Sequence, residues 1–409
     1  MSRNRIRTRL LGELLTLEYG SGLRSEARTG EGFPVLGSSG IVGRHSHYQV
    51  HGPGIVIGRK GTVGAVSWSS QAFWPIDTTY YVVAKEPLDL RWCYWLLTTL
   101  PLKRLDSSTG VPGLNRNDVY RIAVDVPSLP EQRRIAEILD TIDDAIQATE
   151  ALIAKLRQTR AGLLHDLLTR GIDEHGHLRD PDAHPEQFKD SPLGRIPREW
   201  TILNLGSIAS VESGITLGRR IPDGPGTLQL PYLRVANVQD GYIDLSEIKT
   251  IRVYRSEVER YSLRRGDVLM NEGGDFDKLG RGAVWNGQID ECLHQNHVFR
   301  VRVDQTALRP EFLAAVSGSS IGKRYFVLSS KQTTNLASIN STQLRAFPIP
   351  VPERDEQDRI LASLSAMDAS VQSEQVHSTK LQVMKQGLMG DLLTGHVPAH
   401  AIVEAEFSP

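Results

Sequence analysis

Between Glu131 and about Arg170 the chain has no proline and one glycine, Gly162. Its apolar or small residues recur there in alternating steps of three and four: Ile135, Ile138, Ile142, Ala145, Thr149, Leu152, Leu156, Thr159 and Leu163. This spacing predicts one helix of roughly 60 Å carrying a coiled-coil seam. A second segment, from about Glu356 to Leu393, carries a looser stripe of Ile360, Leu364, Met367, Val371, Leu381, Met384 and Leu388, interrupted by Glu374 and His377. Neither helix is stable alone in water. Antiparallel pairing within the chain would bury both seams; the alternative is a helical partner on another protein.

The rest of the chain reads differently. Short β-type runs bounded by glycines and turns, such as Gly54-Ile-Val-Ile57, Thr79-Tyr-Tyr-Val-Val83, Asp267-Val-Leu-Met270 and Val298-Phe-Arg-Val301, fill two blocks, about 10 to 127 and 198 to 352. Each is expected to fold as a compact mixed α/β domain. Gly171 to Pro197, rich in Asp, His, Gly and Pro, reads as a connector.

The two halves repeat one plan. At an offset of 225, Glu131-Gln132-Arg133-Arg134-Ile135 matches Glu356-Gln357-Asp358-Arg359-Ile360, Leu114-Asn115 matches Ile339-Asn340, and Asp166 to Thr169 matches Asp391 to Thr394. At an offset of 194, Leu11-Gly12 through Gly20 matches Leu205-Gly206 through Gly214. The change from 194 to 225 places 31 additional residues inside the second copy.

Composition narrows the class without deciding it. Of 409 residues, 40% are hydrophobic and 23% charged, and 47 Lys+Arg oppose 48 Asp+Glu, so any nucleic-acid surface must come from local clustering. The two cysteines, Cys93 and Cys292, form no disulfide framework. The basic start, Met1 to Arg9, is interrupted by Glu13 and Glu18 before any signal-peptide core, and no run is long and apolar enough to span a bilayer. A cytoplasmic location is expected.

Catalytic motifs are hard to find. Gly52-Pro-Gly54-Ile-Val-Ile-Gly58 has the wrong spacing for a dinucleotide loop, and Gly318-Ser-Ser-Ile-Gly322-Lys323 is one residue short of a phosphate loop, with Arg324 where a hydroxyl should stand. His45, His47 and His51 lack a cysteine or suitably spaced carboxylate to complete a zinc set, and they, like His175, His177 and His184 in the connector, read as solvated loop histidines. No metal and no cofactor are expected on this chain, and no catalytic residue is assigned.

Two similar domains carried on two long helices suit a partner touched at two places, and duplex DNA is such a partner. Base reading needs polar side chains on glycine-supported loops, flanked by Arg or Lys on phosphates. In the first copy the candidates are Ser38, Ser39, Arg44, His47, Arg59, Lys60, Ser108 and Thr109. In the second they are Arg234, Asn237, Asn271, Asp275, Lys278, Arg281, Lys331, Gln332 and Asn335. The alternative is a structural adaptor whose β-rich domains grip protein partners, with the helices as a stalk.

Several segments resemble the specificity subunit of type I restriction-modification enzymes. Gly266-Asp-Val-Leu-Met-Asn-Glu-Gly-Gly274 followed by Lys278-Leu-Gly-Arg-Gly-Ala-Val-Trp285 is similar to a segment of that family's target recognition domains, as is Pro231-Tyr-Leu-Arg-Val-Ala-Asn237 with Gly241-Tyr-Ile-Asp-Leu245. Pro130-Glu-Gln-Arg-Arg-Ile135, Asp355-Glu-Gln-Asp-Arg-Ile360 and Ser191-Pro-Leu-Gly-Arg-Ile-Pro-Arg-Glu-Trp200 resemble its conserved regions, although nothing like Ser191 to Trp200 precedes Leu11.

The resemblance implies a mixed α/β fold: two target recognition domains, 1–127 and 198–352, two antiparallel spacer helices, 128–171 and 353–396, a linker, 172–197, and a tail, 397–409. It implies a chain that neither methylates nor cuts by itself but reads a split, asymmetric site in double-stranded DNA. Two adenine-methylating modification subunits using S-adenosylmethionine would be its partners, with restriction subunits using ATP and Mg. It also points to the loop from Asn271 to Arg281 as a DNA element. Arg59-Lys60 is its counterpart, because Gly64-Ala-Val66 matches Gly282-Ala-Val284.

Overall fold

The structure is a computed structural model and describes residues 7–105, 113–274, 279–332 and 337–399. The chain divides into two units, one made of residues 1–152 with 374–409 and the other of 153–373. The expected long helices are present as Leu129–Thr169 and Arg354–Leu393, and both pass from one unit into the other.

In unit one a four-stranded antiparallel sheet has the order Leu15–Tyr19, Thr79–Ala84, Gly54–Gly58, Val66–Ser69. All five residues of Gly54–Gly58 are buried, as suits an inner strand of continuous apolar sequence. A second sheet joins the hairpin of Phe33–Gly37 and Gly40–His45 to a parallel partner, Trp74–Pro75.

Unit two repeats this plan: Ala209–Ser213, Val298–Val303, Val268–Asn271, Gly282–Val284 in one sheet, and Lys249–Tyr254, Thr227–Leu233, Leu293–His294 in the other. The registers agree with the offset of 194, since Leu15 pairs with Ala84 where Ala209 pairs with Val303. They correct the loop match. Val66 lies opposite Ile57 and Gly282 opposite Met270, while Gly64 and Gly280 donate to the carbonyls of Gly58 and Asn271. Gly64 therefore corresponds to Gly280, two positions earlier than the identical Gly-Ala-Val strings suggest.

The long helices pack together, antiparallel, by segments. Within unit one Ile135, Leu139, Ile142, Ile146 and Thr149 are buried on the first helix, and Leu392 and Leu393 on the second. Within unit two Ile153, Leu164, Leu167 and Leu168 are buried on the first helix, and Ile360 and Leu364 on the second. The middle of the first seam is shifted by one residue: Leu152 is exposed, and Ile146 and Ile153 are buried in the places expected of Ala145 and Leu152. Met384 is likewise exposed, and beside it Lys385 turns inward to pair with Asp143 and lie over the Trp95 ring.

Both helix starts are anchored by the same pair of residues. Gln132 is buried, accepting from the Asp89 N–H (2.9 Å) and donating to the Pro127 carbonyl (3.0 Å). Gln357 is buried too, accepting from the Arg309 N–H (2.8 Å) and donating to Pro352 (3.0 Å) and Ala307 (2.9 Å). The preceding glutamate reaches a backbone N–H just beyond the opposite helix's end: Glu131 accepts from Ala399 and Glu356 from Ile172. A repeated Glu-Gln pair thus closes each unit.

His294, on a parallel strand of unit two, is fully buried and donates from Nδ1 to the Val298 carbonyl (2.7 Å). Burial pulls its imidazole down to about 4. The folded state therefore favours neutral histidine, and this contribution is complete above the unfolded value of about 6.5 and is lost as pH falls toward 4. Unit two should lose up to about 3 kcal/mol over that interval relative to a His294→Asn variant, measured by denaturant unfolding at each pH. Parallel pH profiles for the two proteins would refute this.

Candidate nucleic-acid interface

In unit one the turn from Gly58 to Gly64 joins two strands of the main sheet and carries Arg59 and Lys60, whose N–H groups both donate to the Thr78 carbonyl (2.8 and 3.1 Å). A Cβ at Gly58 would come within 2.2 Å of the Thr62 carbonyl oxygen, so the tightness of this turn requires glycine. Ser38, at the tip of the neighbouring hairpin, accepts from the Thr62 N–H (3.4 Å), and Ser39 beside it is exposed. The fold thus brings four candidates, Ser38, Ser39, Arg59 and Lys60, to one edge.

Three residues that sequence reasoning missed, Tyr19, Tyr80 and Arg116, complete this edge. The Arg59 guanidinium lies 5.2 Å from the Tyr19 ring centroid and 6.0 Å from that of Tyr80, and donates to the Asp77 carbonyl (2.8 Å). The Arg116 guanidinium also lies over the Tyr19 ring, 5.1 Å from its centroid. Tyr80 donates to the Leu114 carbonyl, and burial pushes its phenol up to about 12, so it remains a neutral platform. Tyr19 and Tyr80 stand where strands end, and only the pairing of Tyr19 with Tyr80 across the sheet reveals them as a pair.

Arg44 and His47 lie elsewhere on the hairpin's run, exposed, with Arg44 donating to Gly32 (2.7 Å) and His47 bonded to Ser46 (3.0 Å). Ser108 and Thr109 lie outside the described residues. The chain leaves toward them from Leu102–Leu105, packed beneath Gly64, and returns at Leu114, whose N–H donates to Arg59 (2.9 Å).

In unit two the picture changes for the asparagines. Asn237 is 3% exposed; it accepts from the Arg234 N–H and donates to Asp244 (2.8 Å) and Glu247 (3.0 Å), pinning the 234–248 excursion. Asn271 is 1% exposed and donates to Val238 (3.0 Å). Both amides are spent on backbone carbonyls, so they shape loops rather than offering an edge to a base. Arg234 bonds Glu247, and Arg281 donates to the Gln239 side chain (3.2 Å). Lys331 is exposed, and the Lys331–Gln332 strand joins Gly273–Gly274 through Ala337–Ser338 in a small sheet. Asp275, Lys278 and Asn335 lie outside the described residues.

A different part of unit two is hostile to DNA. A cleft of about 700 Å³ at the start of the second long helix is lined by seven carboxylates and three arginines. At its base Glu356, 4% exposed, pairs with Arg179 and accepts from Trp200 Nε1 (3.1 Å). Neither cysteine suits nucleophilic work, because burial pushes both thiols up to about 12. Among the described residues no group of three or more His, Cys, Asp and Glu could hold a metal ion, and no helix is long and apolar enough to cross a membrane.

A protein-family model described as a type I restriction modification DNA specificity domain matches residues 6–158 and, a second time, 197–382. The chain belongs to this specificity-subunit family. The EcoDI specificity subunit of Escherichia coli is 21% identical over 95% of this chain and 88% of its own length. The MjaX specificity subunit of Methanocaldococcus jannaschii is 26% identical over 53% of this chain, which spans half of that relative's length. The crystal structure of a type I restriction-modification S subunit from M. genitalium covers 96% of this chain and 98% of its own, with 17% identity and a TM-score of 0.57, a likeness of fold. Specificity subunits of this family are non-catalytic components of their complexes, and the mixed α/β fold with two packed long helices is theirs.

Proposed function

We propose that this chain reads a split, asymmetric site in duplex DNA, one half by each unit, and presents it to two adenine-N6 methylating modification subunits in the cytoplasm. S-adenosylmethionine would belong to those partners, and ATP and Mg to restriction subunits where the system has them. The observation carrying this reading is the repeated turn after the inner sheet strand, which in unit one gathers Arg59, Lys60, Arg116 and two tyrosines beside Ser38 and Ser39. Guanidinium and hydroxyl groups there can donate to base edges, while the lysine suits a phosphate. The family match favours this over a protein adaptor.

Within this reading Lys60 is a phosphate contact and Arg59 a base contact. Replacing Lys60 by alanine should reduce the slope of log affinity against log salt by about 1 and leave sequence preference intact. Arg59→Ala should instead relax discrimination at one position by about 1–3 kcal/mol. Salt titration of the assembled methyltransferase on cognate and single-mismatch duplexes separates the two. Identical behaviour of both variants would count against the assignment.

A further inference from the structure

The corrected register puts Arg59 of unit one and Glu272 of unit two at the same node of the repeated plan. Arg59 donates from its N–H to Thr78 and accepts at its carbonyl from Leu114 (2.9 Å). Glu272 donates to His297 (3.0 Å) and accepts from Ile339 (2.8 Å). Leu114 and Ile339 are themselves a matched pair at the offset of 225. Each residue follows the last residue of the inner strand, Gly58 or Asn271. One backbone position therefore carries opposite charges in the two readers.

Their surroundings differ accordingly. Arg59 is held over Tyr19 and Tyr80. Glu272, with its side chain 30% exposed, is held by His297, whose Nδ1 donates to Oε2 (2.5 Å) and whose Nε2 lies 3.4 Å from the Asn296 amide. A carboxylate cannot serve as a phosphate contact, because like charges repel. It only accepts hydrogen bonds, and with about four lone-pair sites it keeps acceptor capacity after one bond to His297. In the major groove the groups that donate are the exocyclic amines, cytosine N4 and adenine N6, whereas arginine matches the acceptors O6 and N7 of guanine.

We propose that Glu272, positioned by His297, is a specificity-determining residue that accepts from an exocyclic base amine in the second half-site, at the place where Arg59 reads guanine in the first. The inference rests on the DNA-reading function proposed above. It makes the two half-sites differ in the sense of their hydrogen bonds at one equivalent position.

The test uses the full chain assembled with its modification subunit and methylation mapping on a randomised duplex library. Glu272→Gln, which turns a pure acceptor into a mixed donor and acceptor, should relax the preference for cytosine or adenine at one position of one half-site by about tenfold, the base preferred by the wild type telling the two amines apart. Arg59→Ala should alter only the other half-site. His297→Gln, at an exposed residue, should relax the same position as Glu272→Gln with little change in unfolding midpoint, and it decides the matter where Glu272→Gln does not fold. A Glu272→Gln protein with every base preference unchanged overturns the proposal, and so does an unchanged His297→Gln profile. If Arg59→Ala still shifts its half-site in that case, only this inference falls; if neither variant changes the site, the DNA-reading function falls with it.

Discussion

Glu356→Ala should destabilise unit two by about 3–5 kcal/mol. The carboxylate is buried and holds three partners at once: the Arg179 guanidinium, the Ile172 N–H (2.9 Å) and Trp200 Nε1 (3.1 Å). Arg179 is itself only 13% exposed on its side chain, so removing the glutamate leaves a buried cation whose remaining carboxylate partner, Glu199, is 79% exposed and no nearer than 3.8 Å. That desolvation penalty dominates the loss of the two neutral donors. The matching Glu131→Ala in unit one should cost only about 1–2 kcal/mol, because that half-buried carboxylate accepts from the Ala399 N–H, a neutral donor. Denaturant unfolding followed by Trp200 fluorescence measures the first case, and a loss below about 1 kcal/mol would refute the account.

The second large effect should come from alanine at either of a matched pair of glycines. A Cβ on Gly214 would lie 1.9 Å from the His294 carbonyl oxygen, and one on Gly20 would lie 2.2 Å from that of Ile76. Both obstacles are backbone, His294 inside a strand and Ile76 directly after one, and backbone cannot step aside as a side-chain tip can. Each substitution should cost about 3 kcal/mol or more, the upper end of overpacking penalties. Gly162→Ala supplies a control of opposite sign: nothing lies within 4 Å of the added methyl, and the residue sits inside a long helix, so the variant should gain up to about 1 kcal/mol. Thermal unfolding of the three variants would settle the order, and a Gly214→Ala protein as stable as Gly162→Ala would contradict it.

Much of the architecture was legible in the residues because it rests on periodicity and repetition. The offset of 194 reappears as strand register, and the offset of 225 as the shared anchoring of Gln132 and Gln357. The seam was read one residue off at mid-helix for two reasons. A straight helix drifts about 20° per heptad against a strict repeat, and Ile146 offers more apolar surface than Ala145. Lys385 escaped a hydrophobic count because its stem and charge are satisfied by Trp95 and Asp143, which are tertiary neighbours.

The candidate site was less legible for a chemical reason. An asparagine amide donates equally well to adenine and to a peptide carbonyl, so residue type alone could not separate Asn237 and Asn271 from true edge-facing donors. Glu272 is hidden in the sequence because its equivalence to Arg59 depends on a register that the repeated Gly-Ala-Val string obscures.

The way each unit is closed sets the order of its birth. Unit two is one uninterrupted stretch of chain and can reach its native state once residue 373 has left the ribosome. Unit one, although its strands are synthesised first, packs its interior against Leu392, Leu393 and Ala399 and waits until residue 399 has arrived. Joining ends so distant carries a high loop-closure entropy, so the earlier-made module is the later to mature and, until then, the one in need of shielding in the cell.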